Sequence, residues 1–319
     1  MVAMQLLRGL HNPGLKEAKC VATIGNFDGV HLGHQAIIQQ VVSKAKSLGV
    51  PAVVIIFEPQ PMEFFQDKNA PARLMRFREK FQALSSFGLD YVFCLKFDSH
   101  LSKLSAESFI DAVLVSHLKV SHLVVGDDFR FGGDRKGDFA LLQKQGALKG
   151  FTVENTPTLL ADKLKERISS TFVRELLAQA RFSEAQQVLG RSYSIVGRVI
   201  HGQKLGRQLG FPTVNIALHR IKAPLCGVYA VQVDISKGKS VLGVANIGVK
   251  PTVGNFLPSL EVHLLDFNAN LYGKQLSVTF RHKIRDEQRF ESIEVLKEQI
   301  NNDINAARRY FNQTILVNN

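Results

Sequence analysis

Gly25-Asn26-Phe27-Asp28-Gly29-Val30-His31-Leu32-Gly33-His34 follows the apolar triplet Ala22-Thr23-Ile24 and runs into a helical stretch, Gln35 to Leu48. A glycine-bearing turn between strand and helix lets backbone N–H groups approach a phosphate, and the helix N-terminus adds its partial positive charge. His31 and His34, three apart, lie on one face of the first helical turn, where both imidazoles can address the same anion. The turn also opens a longer pattern. Further apolar runs at Ala52–Phe57, Tyr91–Phe97 and His122–Val125 alternate with helical stretches at Arg73–Phe87 and Ser105–Leu118. Strands separated by helices of this length form βαβ units, and their nearly continuous apolar character predicts a parallel sheet covered on both faces. A helical segment, Ser170 to Leu189, closes this half.

Beyond Gly190 the texture changes. Short alternating runs, such as Val228–Asp234 and Leu260–Leu264, are punctuated by turns at Lys237-Gly238-Lys239 and Asn268-Ala269-Asn270. This spacing predicts an antiparallel barrel or sandwich. Ser292–Tyr310 returns to helical periodicity, with Ile293, Leu296, Ile300 and Ile304 on one face. The expected organisation is an α/β domain over residues 1–186 and a β-barrel domain with a C-terminal helix over residues 187–319.

Composition bounds the reading. A chain of 319 residues corresponds to about two domains at roughly 150 residues each. Its 45% hydrophobic and 21% charged residues are those of a globular protein. No apolar run approaches the roughly 18 residues of a membrane span, and no secretory signal is expected from the N-terminal residues. The three cysteines, Cys20, Cys94 and Cys226, are far apart and in no CxxC spacing, which points to free thiols in a reducing cytoplasm. The formal charge of +12 implies a polyanionic partner such as a nucleotide, a phosphorylated metabolite or a nucleic acid. Basic residues are scattered, without the Lys/Arg blocks or aromatic-interleaved stripes of nucleic-acid binders, so a small-molecule polyanion is expected rather than nucleic acid.

Two elements besides Gly25–His34 carry the chemistry of the first half. Ile168-Ser169-Ser170-Thr171-Phe172-Val173-Arg174 places hydroxyls and a guanidinium at a helix start, a second anion site. Gly126-Asp127-Asp128-Phe129-Arg130-Phe131-Gly132 follows a strand, at the edge where open α/β sheets bind ligands. Together the HxGH-type and ISSTxxR-type turns resemble the nucleotidylyltransferase superfamily, and with GDDFRFG they resemble its prokaryotic FAD synthetase branch. That resemblance implies attack of the FMN phosphate on the α-phosphorus of ATP, with pyrophosphate leaving and no covalent enzyme intermediate. It puts His31 and His34 on the phosphates at the transition state, within a cradle of Gly25, Phe27, Asp28, Gly29 and Gly33. Ser170, Thr171 and Arg174 would hold the pyrophosphate, and Gly126, Asp128, Phe129 and Phe131 would contact flavin or nucleotide. One departure stands out: Gln60, in Phe57-Glu58-Pro59-Gln60-Pro61, occupies a position where that family commonly has His. No role is carried onto it, since an amide cannot become cationic.

In the second half, Gly197–Asn215 reads GRVIHGQKLGRQLGFPTVN, a glycine-rich loop with basic residues suited to cradling phosphate. Its G-R-x-x-G-F-P-T-x-N ending resembles the riboflavin kinase signature. The likeness continues through Gly227-Val228-Tyr229, Asn246-Ile247-Gly248, Pro251-Thr252-Val253-Gly254, Glu261-Val262-His263 and Leu271-Tyr272-Gly273 to Arg285, Glu287 and Phe290. It implies that Gly202, Lys204, Gly206, Arg207, Gly210 and Pro212 shape a loop over ATP. Thr213 and Asn215 would offer oxygens to Mg²⁺, a hard cation, and Glu261 would be the general base. Arg285 and Glu287 are weaker candidates for flavin or nucleotide contact. Alternation along the strand puts Glu261 on the face of His263, away from Val262 and Leu264, as a site would require.

The combined resemblance, over about residues 20–305, is to the bacterial bifunctional riboflavin kinase/FMN adenylyltransferase family. It implies riboflavin, FMN and ATP as small-molecule substrates, FAD as product and a cytoplasmic location. Two other readings exist. Another nucleotidylyltransferase with an accessory barrel leaves Phe211–Asn215 and Glu261 unexplained. A basic nucleic-acid-binding regulator on a flavin fold predicts strongly salt-dependent binding.

Overall fold

Six strands form the first sheet of the computed structural model: β1 (Gln5–Arg8), β2 (Cys20–Ile24), β3 (Ala52–Glu58), β4 (Tyr91–Lys96), β5 (Val120–Gly126) and β6 (Thr152–Thr156). The structure describes the chain apart from residues 1–2, 13–14, 16–18, 162–163, 203–204, 237, 253–254 and 318–319. All pairings in this sheet are parallel, in the order β1-β4-β3-β2-β5-β6. Every residue of β2 is buried, as a central strand covered on both faces requires. From β2 the chain adds β3 and β4 on one side, then crosses to add β5 on the other. The carboxyl ends of β2 and β5 therefore flank a topological switch point, where such sheets bind ligands.

The sequence does not signal the edge strands β1 and β6, because Gln-Leu-Leu-Arg and Thr-Val-Glu-Asn-Thr lack a long apolar run. Edges need less of one. Helix α1 (Leu32–Leu48) buries Ile38, Val41, Val42 and Ala45 and ends on the left-handed Gly49. Next come α2 (Pro61–Gln66), α3 (Phe77–Leu84), α4 (Ala106–Phe109), which continues as a π-helical stretch to His117, and α5 (Phe139–Lys149). The helix expected from Arg73 begins only at Phe77. Upstream, the carbonyls of Ala72, Arg73 and Leu74 accept from Arg174 Nε, Arg220 Nη1 and Tyr193 Oη, so their acceptors serve tertiary bonds. A short hairpin joins β7 (Leu160–Ala161) to β8 (Glu166–Arg167).

By contacts the chain divides into one unit of Met1–Pro71 and Phe77–Ser170 and another of Ala72–Arg76 and Thr171–Asn319. The helical stretch expected at 170–189 is two helices, α6 (Ser170–Ala178) and α7 (Phe182–Leu189). The break falls where Ala180 takes φ 56° and Arg181 N–H returns to Leu176 O.

In the second unit, β9 (Ser194–Ile200), the short helix α8 (Leu205–Gln208), β10 (Thr213–Ile216), β11 (Gly227–Ser236), β12 (Lys239–Thr252), β13 (Asn255–Leu264) and β14 (Gln275–Arg285) precede the final helix α9 (Ile293–Val317). The strands close an antiparallel barrel in the order β10-β13-β12-β11-β14-β9. Ile195, Val231, Val233, Ala245, Ile247, Leu260, Val262, Val278 and Phe280 are buried, and Ala307 and Phe311 of α9 pack with Ala230. Closure leaves no free strand edge.

Candidate active sites

At the switch point the backbone after β2 takes left-handed conformations at Phe27 (φ 47°), Gly29 (φ 85°) and Val30 (φ 43°). Conformations costly for Phe and Val persist only where surrounding packing holds them, and both side chains are almost fully buried. His31 then caps α1, its Nδ1 accepting from His34 N–H at 3.3 Å. With Nδ1 an acceptor, a neutral His31 carries its proton on Nε2. The two imidazoles stack with centroids 3.6 Å apart. A Cβ on Gly33 would stand 3.2 Å from His31 Nδ1, a tight approach that glycine avoids.

Sequence reasoning missed Lys80 of α3. It is 0% exposed, and its Nζ donates to Asn26 O at 2.5 Å. A cation behind the glycine turn suits an anion site. Burial, then the neighbouring His31 and Lys80, hold the His34 pKa well below its ordinary value, so His34 is neutral near pH 7. Its Nδ1 is buried without a hydrogen-bond partner among the described residues.

His31, His34, Gly25, Phe27, Gly33, Gly126, Asp128, Phe129 and Ser170 line one cavity of about 260 Å³. Ser170 Oγ donates to the carbonyl of Asp28 at 2.8 Å, and Arg167 pairs with Asp128 at 2.5 Å. A second cavity of about 670 Å³ shares His34, Asp128, Phe129 and Ser170 and adds Phe57, Phe65, Phe97, Phe109 and Phe131. Phe129 and Phe131 stack at 5.4 Å. Phe129 and Phe131 belong to the predicted Gly126–Gly132 turn, whereas Phe57, Phe65, Phe97 and Phe109 come from elsewhere in the chain and no local pattern groups them. Thr171 and Arg174, the other predicted pyrophosphate ligands, belong to the second unit, where Arg174 Nε donates to Ala72 O at 2.5 Å.

In the barrel, register brings the predicted residues together. Asn215 of β10 and Asn246 of β12 both pair with Glu261 of β13, and Thr213 pairs with His263. All five line a cavity of about 220 Å³, together with Val228, Val244 and the α9 residues Leu296, Ile300 and Ile304. His263 Nδ1 lies 2.9 Å from Pro212 O, which orients the ring. Gly202 and Gly206 have a packing reason. A Cβ on Gly202 would overlap the Asn215 amide, and one on Gly206 would lie 2.5 Å from Phe211 O and 3.2 Å from Thr213 Oγ1. Gly210 takes φ 92°, closing the turn. Lys204 lies outside the described residues, and Arg207 is placed on α8 by its backbone alone.

Arg285 is held by a fork onto Asp303 of α9, Nε to Oδ1 at 2.9 Å and Nη2 to Oδ2 at 2.8 Å. It therefore latches the helix that walls the cavity. Glu287 lies over Gly248 and accepts from Cys226 Sγ at 3.5 Å. Burial and this carboxylate push the Cys226 thiol up. A further cavity of about 460 Å³ shares Pro212 and Thr213 with this end of the barrel and reaches Asn268 and Tyr272, whose ring stacks on His201 at 4.0 Å.

Comparison with known proteins agrees with both halves. The FAD synthetase family matches residues 15–172 and the riboflavin kinase family residues 189–311. The chain is 56% identical to the bifunctional riboflavin kinase/FMN adenylyltransferase of Pseudomonas fluorescens, over 96% of this chain and 97% of that one. It is 49% identical to the protein of that name from Escherichia coli K12, over 98% and 99%. A crystal structure described as a macrolide-efflux protein from Streptococcus pneumoniae superposes with a TM-score of 0.79 at 27% identity, over 96% of this chain and 99% of that one. Among the described residues no helix is long and apolar enough to cross a membrane. Two family matches in tandem and near-complete coverage at high identity assign the chain to the bifunctional riboflavin kinase/FMN adenylyltransferase family.

Proposed function

We propose that the barrel cavity phosphorylates riboflavin and that the switch-point cavities convert the resulting FMN to FAD, each with ATP as second substrate. The observation carrying this reading is that the row Asn215–Glu261 shares one cavity with Val228, Val244, Leu296, Ile300 and Ile304: a carboxylate and oxygen ligands together with apolar surface suited to a flat ring. Glu261 takes the proton of the ribityl terminal hydroxyl as its oxygen attacks the γ-phosphorus of ATP, and ADP leaves. Thr213 Oγ1 and the Asn215 amide oxygen, on alternate residues of β10, fit a hard cation, and Gly202 and Gly206 hold them in place. Mg²⁺ bound there would neutralise phosphate charge. The remaining ligands would be phosphate oxygens and water, because two protein oxygens do not fill an octahedral shell. The cavity beyond Thr213, with Tyr272, is the candidate nucleotide slot.

In the sheet unit, the FMN phosphate attacks the α-phosphorus of a second ATP and pyrophosphate leaves. His31, His34 and the N–H groups of Gly25–Gly33 stabilise the charge that develops. Neutral His34 suits this task as a hydrogen-bond partner rather than a fixed cation. The Phe-lined cavity, sharing His34 with the phosphate turn, supports a ring-stacking site for the isoalloxazine. We assign the work to the cytoplasm, consistent with three free cysteines. Incubating the protein with riboflavin, ATP and Mg²⁺ should yield FMN and then FAD on chromatography. Absence of both products would overturn the assignment.

A further inference from the structure

One polar residue lining the barrel cavity has no use in the scheme above. Asn246 lines the cavity, and its Oδ1 is shut off from solvent without a hydrogen-bond partner among the described residues. Such acceptors are few in folded proteins, because desolvation without a replacement bond is unfavourable. Register gives its position. Asn246 pairs with Glu261 on one side and with Val228 on the other, while Glu261 pairs onward with Asn215. Directly opposed side chains stand about 5 Å apart, so Asn215, Glu261 and Asn246 form a row along one face, and Val228 begins the apolar wall.

We propose that Asn246 is a positioning residue for the flavin substrate: its Oδ1 accepts a hydrogen bond from a secondary hydroxyl of the ribityl chain, setting the terminal hydroxyl before Glu261. This rests on the reading of the barrel as the riboflavin kinase with Glu261 as base. The chemistry selects the donor. A ligand whose end meets Glu261 and whose ring lies against Val228 and α9 presents, at Asn246, the stretch between them. In riboflavin that stretch is a chain of hydroxyls, each able to donate. The assignment makes Asn246 a determinant of specificity, because a chain without those hydroxyls leaves the buried oxygen unpaired.

The test compares two substrates on the full-length protein: riboflavin, and a flavin carrying an unbranched ω-hydroxypentyl chain in place of ribityl. Asn246→Ala should lower kcat/KM for riboflavin by about tenfold to a hundredfold, leave phosphorylation of the hydroxypentyl flavin unchanged, and leave FAD formation from FMN intact. The melting temperature should not fall, since the lost oxygen bonds no protein group among the described residues. Asn246→Leu, close to Asn in shape and without an acceptor, repeats the comparison should the alanine variant fold poorly. Equal losses on both substrates, or no loss on riboflavin, would overturn the inference while leaving the kinase assignment standing. A wild-type protein that does not phosphorylate riboflavin would overturn both.

Discussion

Glu261 is where chemistry and ordinary barrel structure diverge most at the scale of single residues. Its place beside Asn215 and Asn246 in a cavity is what a base needs and what a solvated strand carboxylate lacks. Glu261→Gln keeps shape and hydrogen bonding but removes the proton acceptor. Riboflavin phosphorylation should drop roughly 10²–10⁴-fold, FMN supplied directly should still become FAD, and the melting temperature should hold. His34 gives a pH signature. Its pKa is lowered on folding by burial, His31 and Lys80, so the folded protein binds fewer protons than the unfolded one. Stability should therefore fall as pH drops below the ordinary histidine value of 6.5 toward the lowered one. Thermal melts from pH 7.5 down to pH 5 should show a shallower slope in His34→Gln than in the wild type.

Between residue and molecule stand two elements that hold the kinase site. The glycine loop lies close to β10, so Gly206→Ala must push its new Cβ away from Phe211 O, 2.5 Å distant. Thr213 should shift with it. The expected outcome is a raised KM for ATP in the kinase step with adenylylation unaffected, read in paired assays. Helix α9 is latched by Arg285 on Asp303, a carboxylate only 3% exposed. Removing one partner of a buried pair leaves the other charge uncompensated. Asp303→Ala should therefore destabilise the barrel unit by about 3–5 kcal/mol, measured by urea unfolding, and should raise the KM for riboflavin by loosening the cavity wall.

Whole-molecule organisation turns on Ala72–Arg76, which leaves the sheet unit in sequence yet packs with the barrel. Arg76 Nη2 donates to Val196 O at 2.5 Å and Arg220 Nη1 to Arg73 O at 3.2 Å. Helix α7 contributes too: the ring of Phe182 meets Tyr229 edge-on at 5.9 Å. A fragment of residues 187–319 retains the kinase residues but loses Phe182 and the buried Ala185, at a cost on the order of 3 kcal/mol. A fragment of residues 171–319 keeps both. Calorimetry should rank melting of the barrel as full chain, then 171–319, then 187–319. Both fragments should make FMN from riboflavin and no FAD. A folded 171–319 fragment without kinase activity would refute separable sites.

The sequence by itself determined what short-range chemistry encodes. Glycines at a strand-to-helix turn, followed by His31 and His34, specify a phosphate turn because backbone approach and helix polarity are local properties. Alternation likewise put Glu261 and His263 on one face, and their common cavity is lined as that alternation requires. The tertiary structure decided everything that depends on which distant segments meet. Lys80 behind Asn26, the phenylalanines that strand, helix and loop bring to one cavity and the pairing of Asn246 with Glu261 each depend on how distant segments pack. That packing is set by burying nonlocal surface, not by neighbours in the chain. Arg73–Arg76 illustrates the limit. Its residues read as helix, but the carbonyls of Arg73 and Leu74 bond arginine and tyrosine side chains more than a hundred positions away, and a backbone acceptor committed there is withdrawn from helix formation.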